Sequence, residues 1–320
     1  MVFPLASFLL FYTGETAYLF MRTREEKRQI RGAFSHYVPE KVVQEILAHP
    51  ENLALGGEER EVSVLFSDLA DFTSLSEKIP PAELVLLLND YLSEMSEIIL
   101  DHDGIIDKYE GDAIMAEFGV PIRLPDHAGH ACAAAIRMQQ RLASLRVEWT
   151  GLGRPQLRAR IGINSGRVIA GNMGSRDVFD YTVLGDAVNL GSRLEGANKF
   201  YGTEIIISQD TLDFTGDEFH TRMLDRVRVK GKREVISIHE LIAFRNEGLP
   251  AHLLELLRLF QEGMLLYQKQ DWTGAEKIFK RCQKLRKDDG PARIYLERCR
   301  SFAIAPPPSD WDGVTEFHTK

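Results

Sequence analysis

The chain predicts an α+β protein in which helices cover one face of a mostly antiparallel sheet, flanked by helical segments at both ends. Three observations carry this expectation. Short runs rich in β-formers, such as "EVSVLFSD" and "TEIIIS", alternate with amphipathic stretches in the order βαββαββαβ plus a hairpin. Glycine and proline punctuate the junctions: Gly56-Gly57, Pro80-Pro81, Gly104 and Gly185. After "NEGLP" the texture changes, and residues 250–303 read as helical throughout.

At 320 residues there is room for one mid-sized domain with accessories, or for two domains. Hydrophobic content of 44% and charged content of 27% suit a globular core. The net charge of −8 argues against a nucleic-acid partner. Cys132, Cys282 and Cys299 are scattered, with no CxxC, and read as reduced thiols. The nine histidines show no HExxH spacing, which argues against zinc.

Residues 1–21 are apolar except for Glu15 and approach the length of a bilayer core. "RTREEKRQIR" follows, with five basic and two acidic residues, and predicts a cytoplasmic side for the rest of the chain. The expectation is a transmembrane helix at 1–21 in an inner membrane. The alternative is an apolar helix packed on the protein itself. Residues 22–54 read as a signalling helix broken at Pro39, a short amphipathic helix "EKVVQEILA" and a linker. The central domain is expected over 55–244. In it, Pro80-Pro81 open a helix with an apolar face at Leu84, Leu87, Leu88, Tyr91, Met95 and Ile98, and strands are expected at 105–110 and 113–118. "DHAGHACAAAIRMQQRLASLRVEW" reads as a second helix and "LRARIGINSGRVIAGNMGS" as strand, turn, strand. Gly185-Asp186 open a third helix with Asp186 near its N-cap. "FHTRMLDRVRVKGKREVISIHELIAF" reads as a hairpin turning at Lys230-Gly231-Lys232. In the last region, 250–320, Gly263, Tyr267, Trp272, Ala275 and Phe279 follow the small/large spacing of a tetratricopeptide-type helix pair. One pair cannot bury its own face, so it is expected to dock on the main domain or on a protein partner.

Three separated stretches bear on chemistry. In "LFSDLADFTSLSE", Asp68 ends a buried strand, and the turn through Phe72 and Thr73 offers backbone N–H groups to phosphates. In "DKYEGDAIMAEFG", Asp112 sits at a turn between strands. Two carboxylates at strand ends suit magnesium completed by substrate phosphates. In "DYTVLGDAVNLGSRLE", Asn189 and Arg193 are i, i+4 on one helix face, where an amide and a guanidinium suit a sugar or a phosphoryl group. Neither a P-loop nor a Rossmann fingerprint is present. Each feature alone has an ordinary structural reading, such as a capped turn, a solvated hairpin or a surface ion pair.

Together, "LFSDLADFTSLSE", "DKYEGDAIMAEFG", "RIGINSGRVIAGNMGS" and "DYTVLGDAVNLGSRLE", in this order, closely resemble the catalytic domain of class III adenylate/guanylate cyclases over residues 55–243. The flanks resemble bacterial receptor cyclases with a CHASE2 sensor, which is absent here, and the tail found after some bacterial cyclase domains. The resemblance implies a ferredoxin-like, palm-type sheet, and a head-to-tail homodimer with active sites between the two chains. It implies that Asp68, Asp112 and the Leu69 backbone carbonyl hold two Mg²⁺ or Mn²⁺ ions. Lys108 matches the purine-reading position. A lysine can donate to adenine N1, whereas guanine N1 and N2 are donors, so ATP is the expected substrate. Thr182 matches the second base-reading position, often Asp in relatives, and can accept from the adenine N6 amine. Asn189 matches the ribose-orienting residue and Arg193 the transition-state stabiliser. Lys230 matches the triphosphate-binding lysine, with Lys232 a weaker match. Asp71 stands where many relatives have Gly and is expected to face solvent. The implied reaction is ATP to 3′,5′-cyclic AMP and pyrophosphate. The competing readings are a guanylate cyclase and an inactive cyclase-like scaffold that binds partners through residues 250–303.

Overall fold

The computed structural model describes residues 55–229, 234–308 and 310–317, with positions 12, 15, 16, 18, 19 and 22. It divides the chain at Ala54 into two units. In the first, the six described residues are helical and exposed. Apart from these six, the expected transmembrane helix and signalling linker lie outside the described residues. Among the described residues no helix is long and apolar enough to cross a membrane.

The second unit opens with β1 (Gly56–Leu69). The strand begins well before the apolar run that announced it. Its polar first half, expected to be linker, pairs through the backbone with β4 (Ala159–Gly174), from Gly56 opposite Asn172 to Leu69 opposite Ala159. There follow α1 (Phe72–Ser76), α2 (Pro81–Asp101), β2 (Ile105–Glu110), β3 (Ala113–Phe118) and α3 (His127–Gly151). Beyond β4 come β5 (Phe179–Leu184), α4 (Asp186–Tyr201), β6 (Ile205–Ser208), α5 (Gln209–Thr215), β7 (Phe219–Val229) and β8 (Val235–Phe244). Pro81 supplies a fixed φ at the first position of α2, where no N–H is needed. Gly185 is the N-cap of α4 and Asp186 its first residue, next to the cap as expected.

The strands form one sheet in the order β2-β3-β1-β4-β6-β8-β7-β9, with β5 also on β4 and β9 (Thr315–Phe317) at the far edge. All pairings are antiparallel except β4–β6 and β7–β9. This agrees with the predicted α+β class and its mostly antiparallel sheet. The expectation of helices on one face does not hold. Ile205 and Ile207 of β6 join the core beneath α2 and α3, while Ile206 joins Leu190, Leu194 and Tyr201 of α4. Successive strand residues point to opposite faces, so α4 covers the opposite side from α2 and α3. The continuous "III" run, buried on both faces, is the physical reason.

Close approach sets the position of α4. A Cβ on Gly162 of β4 would collide with the Glu195 N and Gly191 O backbone atoms of α4. Gly191 in turn lies against Val64 and Phe66 of β1. The helix therefore rests on the β1–β4 pair at the end where Asp68 emerges.

The C-terminal region contains three helices rather than a hairpin: α6 (Ala251–Gln268), α7 (Trp272–Leu285) and α8 (Gly290–Ile304). Gly263, Tyr267, Ala275 and Phe279 are buried in their shared core, with Gly263 against the Phe279 ring. As expected of helices that cannot bury their own faces, they dock on the main domain, at β7. Tyr295 donates to the Leu224 carbonyl at 2.7 Å, and Arg298 donates to Asp225 at 2.7 Å. Asp225 also accepts from Tyr201 and from Thr315, each at 2.8 Å.

Candidate active site

β1 presents alternate residues to the two sides of the sheet. Leu65, Ser67 and Leu69 face α2 and α3, and Ser67 meets the buried Tyr91 hydroxyl at 3.3 Å. Val64, Phe66 and Asp68 therefore face the α4 side. On β4, Arg160 lies directly opposite Asp68 and shares its face. The candidate site is built on this side.

Asp112 reaches it from the hairpin between β2 and β3. Glu110 pairs with Ala113, leaving a two-residue turn in which Gly111 takes φ 68, a conformation glycine enters freely. The Leu69 and Asp112 backbone N–H groups steady the Asp112 carboxylate. Burial, followed by the adjacent Asp68 charge, still pushes this carboxyl up to about 6. Two adjacent carboxylates repel one another, and a hard divalent cation between them removes that repulsion. The oxygen donors suit magnesium or manganese, which take one or two protein carboxylates and fill the remaining positions with water or phosphate. Among the described residues there is no cluster of three or more acidic, histidine or cysteine ligands.

Two further residues complete this end of the face, and the sequence reading missed both. The Arg160 guanidinium lies 3.5 Å from Asp68 and 3.1 Å from Glu195 of α4, the latter an ion-pair distance without hydrogen-bond alignment. Burial raises the Glu195 carboxyl to about 7, opposed by Arg160 and reinforced by Asp68 and Asp112. The available signal was a charged residue inside an apolar strand, "ARIGI".

Lys108 and Thr182 are brought together elsewhere by a shared neighbour, Asp107. Thr182 of β5 is buried and donates to Asp107 Oδ2 at 2.6 Å. The Lys108 ammonium lies 3.7 Å from the other oxygen of Asp107. The pairing of β2 with β3 shifts register between Ile106 and Lys108, so Asp107 occupies a bulge that turns its side chain inward. Behind it stands Glu117 of β3, fully buried. Asp107 and Glu117 were not singled out from sequence either, although each interrupts an apolar strand run.

The remaining assignments are less tightly held. Asn189 is exposed and Arg193 half-buried on α4; within the described residues neither side chain makes a hydrogen bond or ion pair. Phe72 packs on the core while Thr73 is exposed, both in α1. Asp71 is exposed, as expected, and takes φ 59, the left-handed conformation that glycine would adopt without strain. Lys230 and Lys232 lie outside the described residues. Lys108 and Asp112, four residues apart, thus belong to different clusters.

Hard oxygen ligands in one cluster and a hydrogen-bonding pair in the other suit a phosphorylated ligand that carries a heterocyclic base. The sequence pattern of the family described as "Adenylate and Guanylate cyclase catalytic domain" matches residues 57–242, and the chain belongs to this family. A terminal-differentiation-specific adenylate cyclase of Dictyostelium discoideum is 36% identical over 278 residues, 85% of this chain and 13% of that protein. Adenylate cyclase 1 of Rhizobium meliloti is 34% identical over 212 residues, 65% of this chain and 31% of that protein. The chain therefore spans less than a third of either relative. Among solved structures, the guanylyl cyclase Cya2 shares 38% identity at a TM-score of 0.55, covering 62% of this chain and 98% of that one. The adenylyl cyclase CyaB from P. aeruginosa shares 36% identity at a TM-score of 0.55, covering 59% and 96%.

Proposed function

We propose that this protein is an adenylate cyclase that converts ATP to 3′,5′-cyclic AMP and pyrophosphate, at sites shared between two copies of the chain. The observation that carries the proposal is the convergence of Asp68 and Asp112 at the end of a family fold, with Asp112 pushed up to about 6 by burial and by the adjacent Asp68 charge. Asp68, Asp112 and the Leu69 carbonyl would hold Mg²⁺ or Mn²⁺, two ions per site. Bound there, the metals supply Lewis acidity to the ribose 3′-oxygen and charge neutralisation to the triphosphate.

The chain's own residues do the rest. With Asp68 given over to metal, Arg160 would remain paired with Glu195 and lend its positive charge beside the triphosphate. The turn through Phe72 and Thr73 faces the phosphates, with Lys230 as a further cation. Lys108 donates to adenine N1, and Thr182 accepts from the N6 amine. Asn189 orients the ribose, and Arg193 stabilises charge that develops on the α-phosphoryl oxygens as the 3′-oxygen attacks in line. A head-to-tail homodimer fits the separation of the two clusters: each site takes the aspartates from one chain and Lys108, Thr182, Asn189 and Arg193 from its partner. The similarity to a guanylyl cyclase makes GTP the competing substrate, and Lys108 argues against it.

The test is cyclic product from ATP and from GTP, with Mn²⁺ or Mg²⁺, under conditions where dimer forms. Absence of cyclic AMP would overturn the proposal. Residues 1–21 are proposed to anchor the chain in an inner membrane below a CHASE2-type sensor, with 22–54 relaying its state. Disulfide crosslinking of cysteines placed along 24–34 should differ between active and inactive states, and identical patterns would refute the relay. The tetratricopeptide-like reading of residues 250–303, with its exposed surface open to a protein partner, is likewise a proposal; recovery of the same single protein by this segment and by the full chain would support it, and recovery of none would count against it.

A further inference from the structure

A threonine hydroxyl by itself reads no base. It carries one proton and two lone pairs and rotates to suit its neighbour. It can accept from the exocyclic amine of adenine or donate to the exocyclic oxygen of guanine. A lone Thr182 would therefore serve both purines, and the family contains cyclases for both.

Here the proton is already committed. Thr182 Oγ1 donates to Asp107 Oδ2 at 2.6 Å, within the short range of a hydroxyl bonded to a carboxylate. Asp107 is turned inward by the bulge, its side chain 1% exposed, and its other oxygen faces the Lys108 ammonium at 3.7 Å. One side chain thus touches both of the purine-reading groups. Asp107 Oδ1 and both Glu117 oxygens make no well-aligned hydrogen bond; the two carboxyls face each other, with the Val183 backbone N–H near Glu117. Two adjacent buried carboxyls are costly if both are ionised, so the pair retains one proton. Burial raises the Asp107 carboxyl, but the Thr182 hydroxyl and the Lys108 ammonium oppose that rise by favouring its charged form. Glu117 is more deeply buried, and burial followed by the Asp107 charge drives its carboxyl well above the usual range. The proton resides on Glu117, which leaves Asp107 as an acceptor only.

We infer that Asp107, backed by Glu117, is a specificity-determining positioning residue: it holds the Thr182 proton away from the substrate, so that Thr182 presents only lone pairs and selects a purine carrying an exocyclic amine over one carrying a carbonyl. Asp107 also fixes the Lys108 ammonium close to the same base edge. This inference rests on the nucleotide-cyclase reading of the site.

The test uses the full chain with Asp107→Asn, Thr182→Val and their combination. Each is read as the ATP-to-GTP ratio of kcat/KM and, independently of turnover, as the ratio of equilibrium affinities for the two nucleotides. Each single substitution should lower the ratio by about tenfold, the scale of one buried hydrogen bond left unmade. The double variant should fall no further than the larger single effect, because Asp107 acts through Thr182. A ratio for Asp107→Asn within about twofold of the parent, or two effects that multiply, would overturn the inference. If Asp107→Asn does not fold, Thr182→Ser and Thr182→Val carry the test: serine keeps the committed hydroxyl and should keep the ratio, valine should lose it, and equal loss would overturn the inference. A parent that binds ATP in preference to GTP but forms no cyclic product would refute the catalytic proposal alone.

Discussion

Arg222 joins the C-terminal helices to the sheet, and its removal should be among the most costly substitutions outside the site. The side chain is 3% exposed. Its Nε and Nη2 contact Glu240 at 2.7 and 2.6 Å, and its Nη1 donates to both oxygens of Asp289 at 2.9 and 3.0 Å. The guanidinium also stacks 4.7 Å from the Phe260 ring centre. Burial opposes its charge, yet Glu240 and Asp289 outweigh burial and hold it protonated above its usual range. Without it, Asp289 and Glu240 become neighbouring buried acids with no counter-charge, although Asp289 still caps α8 through Ala292 N at 3.0 Å. Breaking a buried pair in this way costs about 3–5 kcal/mol. Arg222→Met preserves most of the volume and isolates the charge. Urea unfolding at neutral pH should register the loss, with hydrogen exchange over 251–304 as a local readout. A triple variant that also carries Glu240→Gln and Asp289→Asn should recover most of it. An Arg222→Met protein within about 1 kcal/mol of the parent, or a triple variant no better than the single, would refute the reasoning.

Three further outcomes are expected. Because the Asp112 carboxyl titrates near 6, above its ordinary value, protons compete with metal over a wider acidic range; Mn²⁺ affinity should be flat above that pH and fall about tenfold per unit below it. Asp112→Asn should abolish the dependence and Glu195→Gln should keep it, as followed by the Mn²⁺ resonance signal. Mixing Asp68→Ala with Arg193→Ala chains should restore about a quarter of parental activity, since random pairing makes half the dimers mixed and each has one intact site of two; heterodimers without activity would refute the shared site. Gly162→Ala should cost about 1–3 kcal/mol in thermal or urea unfolding and reduce kcat, because its Cβ displaces the helix that carries Asn189 and Arg193.

The element order was legible because most β runs are β-branched and bounded by glycine or proline, and each helix keeps its apolar period; "LRARIGINSGRVIAGNMGS", expected to turn midway, instead runs on as the single strand β4 because β1 pairs with it throughout. The start of β1 was not legible. Its "GGEERE" half carries no apolar signal and is strand only because β4 offers backbone partners along its whole length. The placement of α4 was hidden for a similar reason, since three isoleucines in β6 say that both faces are covered but not by which helix. At the site, the sequence picked out Asp68, Asp112, Lys108 and Thr182 by order and residue type. It passed over Arg160, Glu195, Asp107 and Glu117, whose roles depend on who stands opposite them.

Local pattern was enough to set the α+β class, and four motifs in order were enough to set the family and the candidate residues proposed to hold metal or meet a purine. How those residues are held came from the folded chain. A one-residue bulge at Asp107 and a two-residue turn at Gly111-Asp112 set Lys108 and Thr182 around Asp107 and Asp112 beside Asp68. The family resemblance already implied that Lys108 and Asp112 in "DKYEGD" serve different sites; the bulge and the turn that part them arise from pairing between strands distant in the chain, which no local pattern shows.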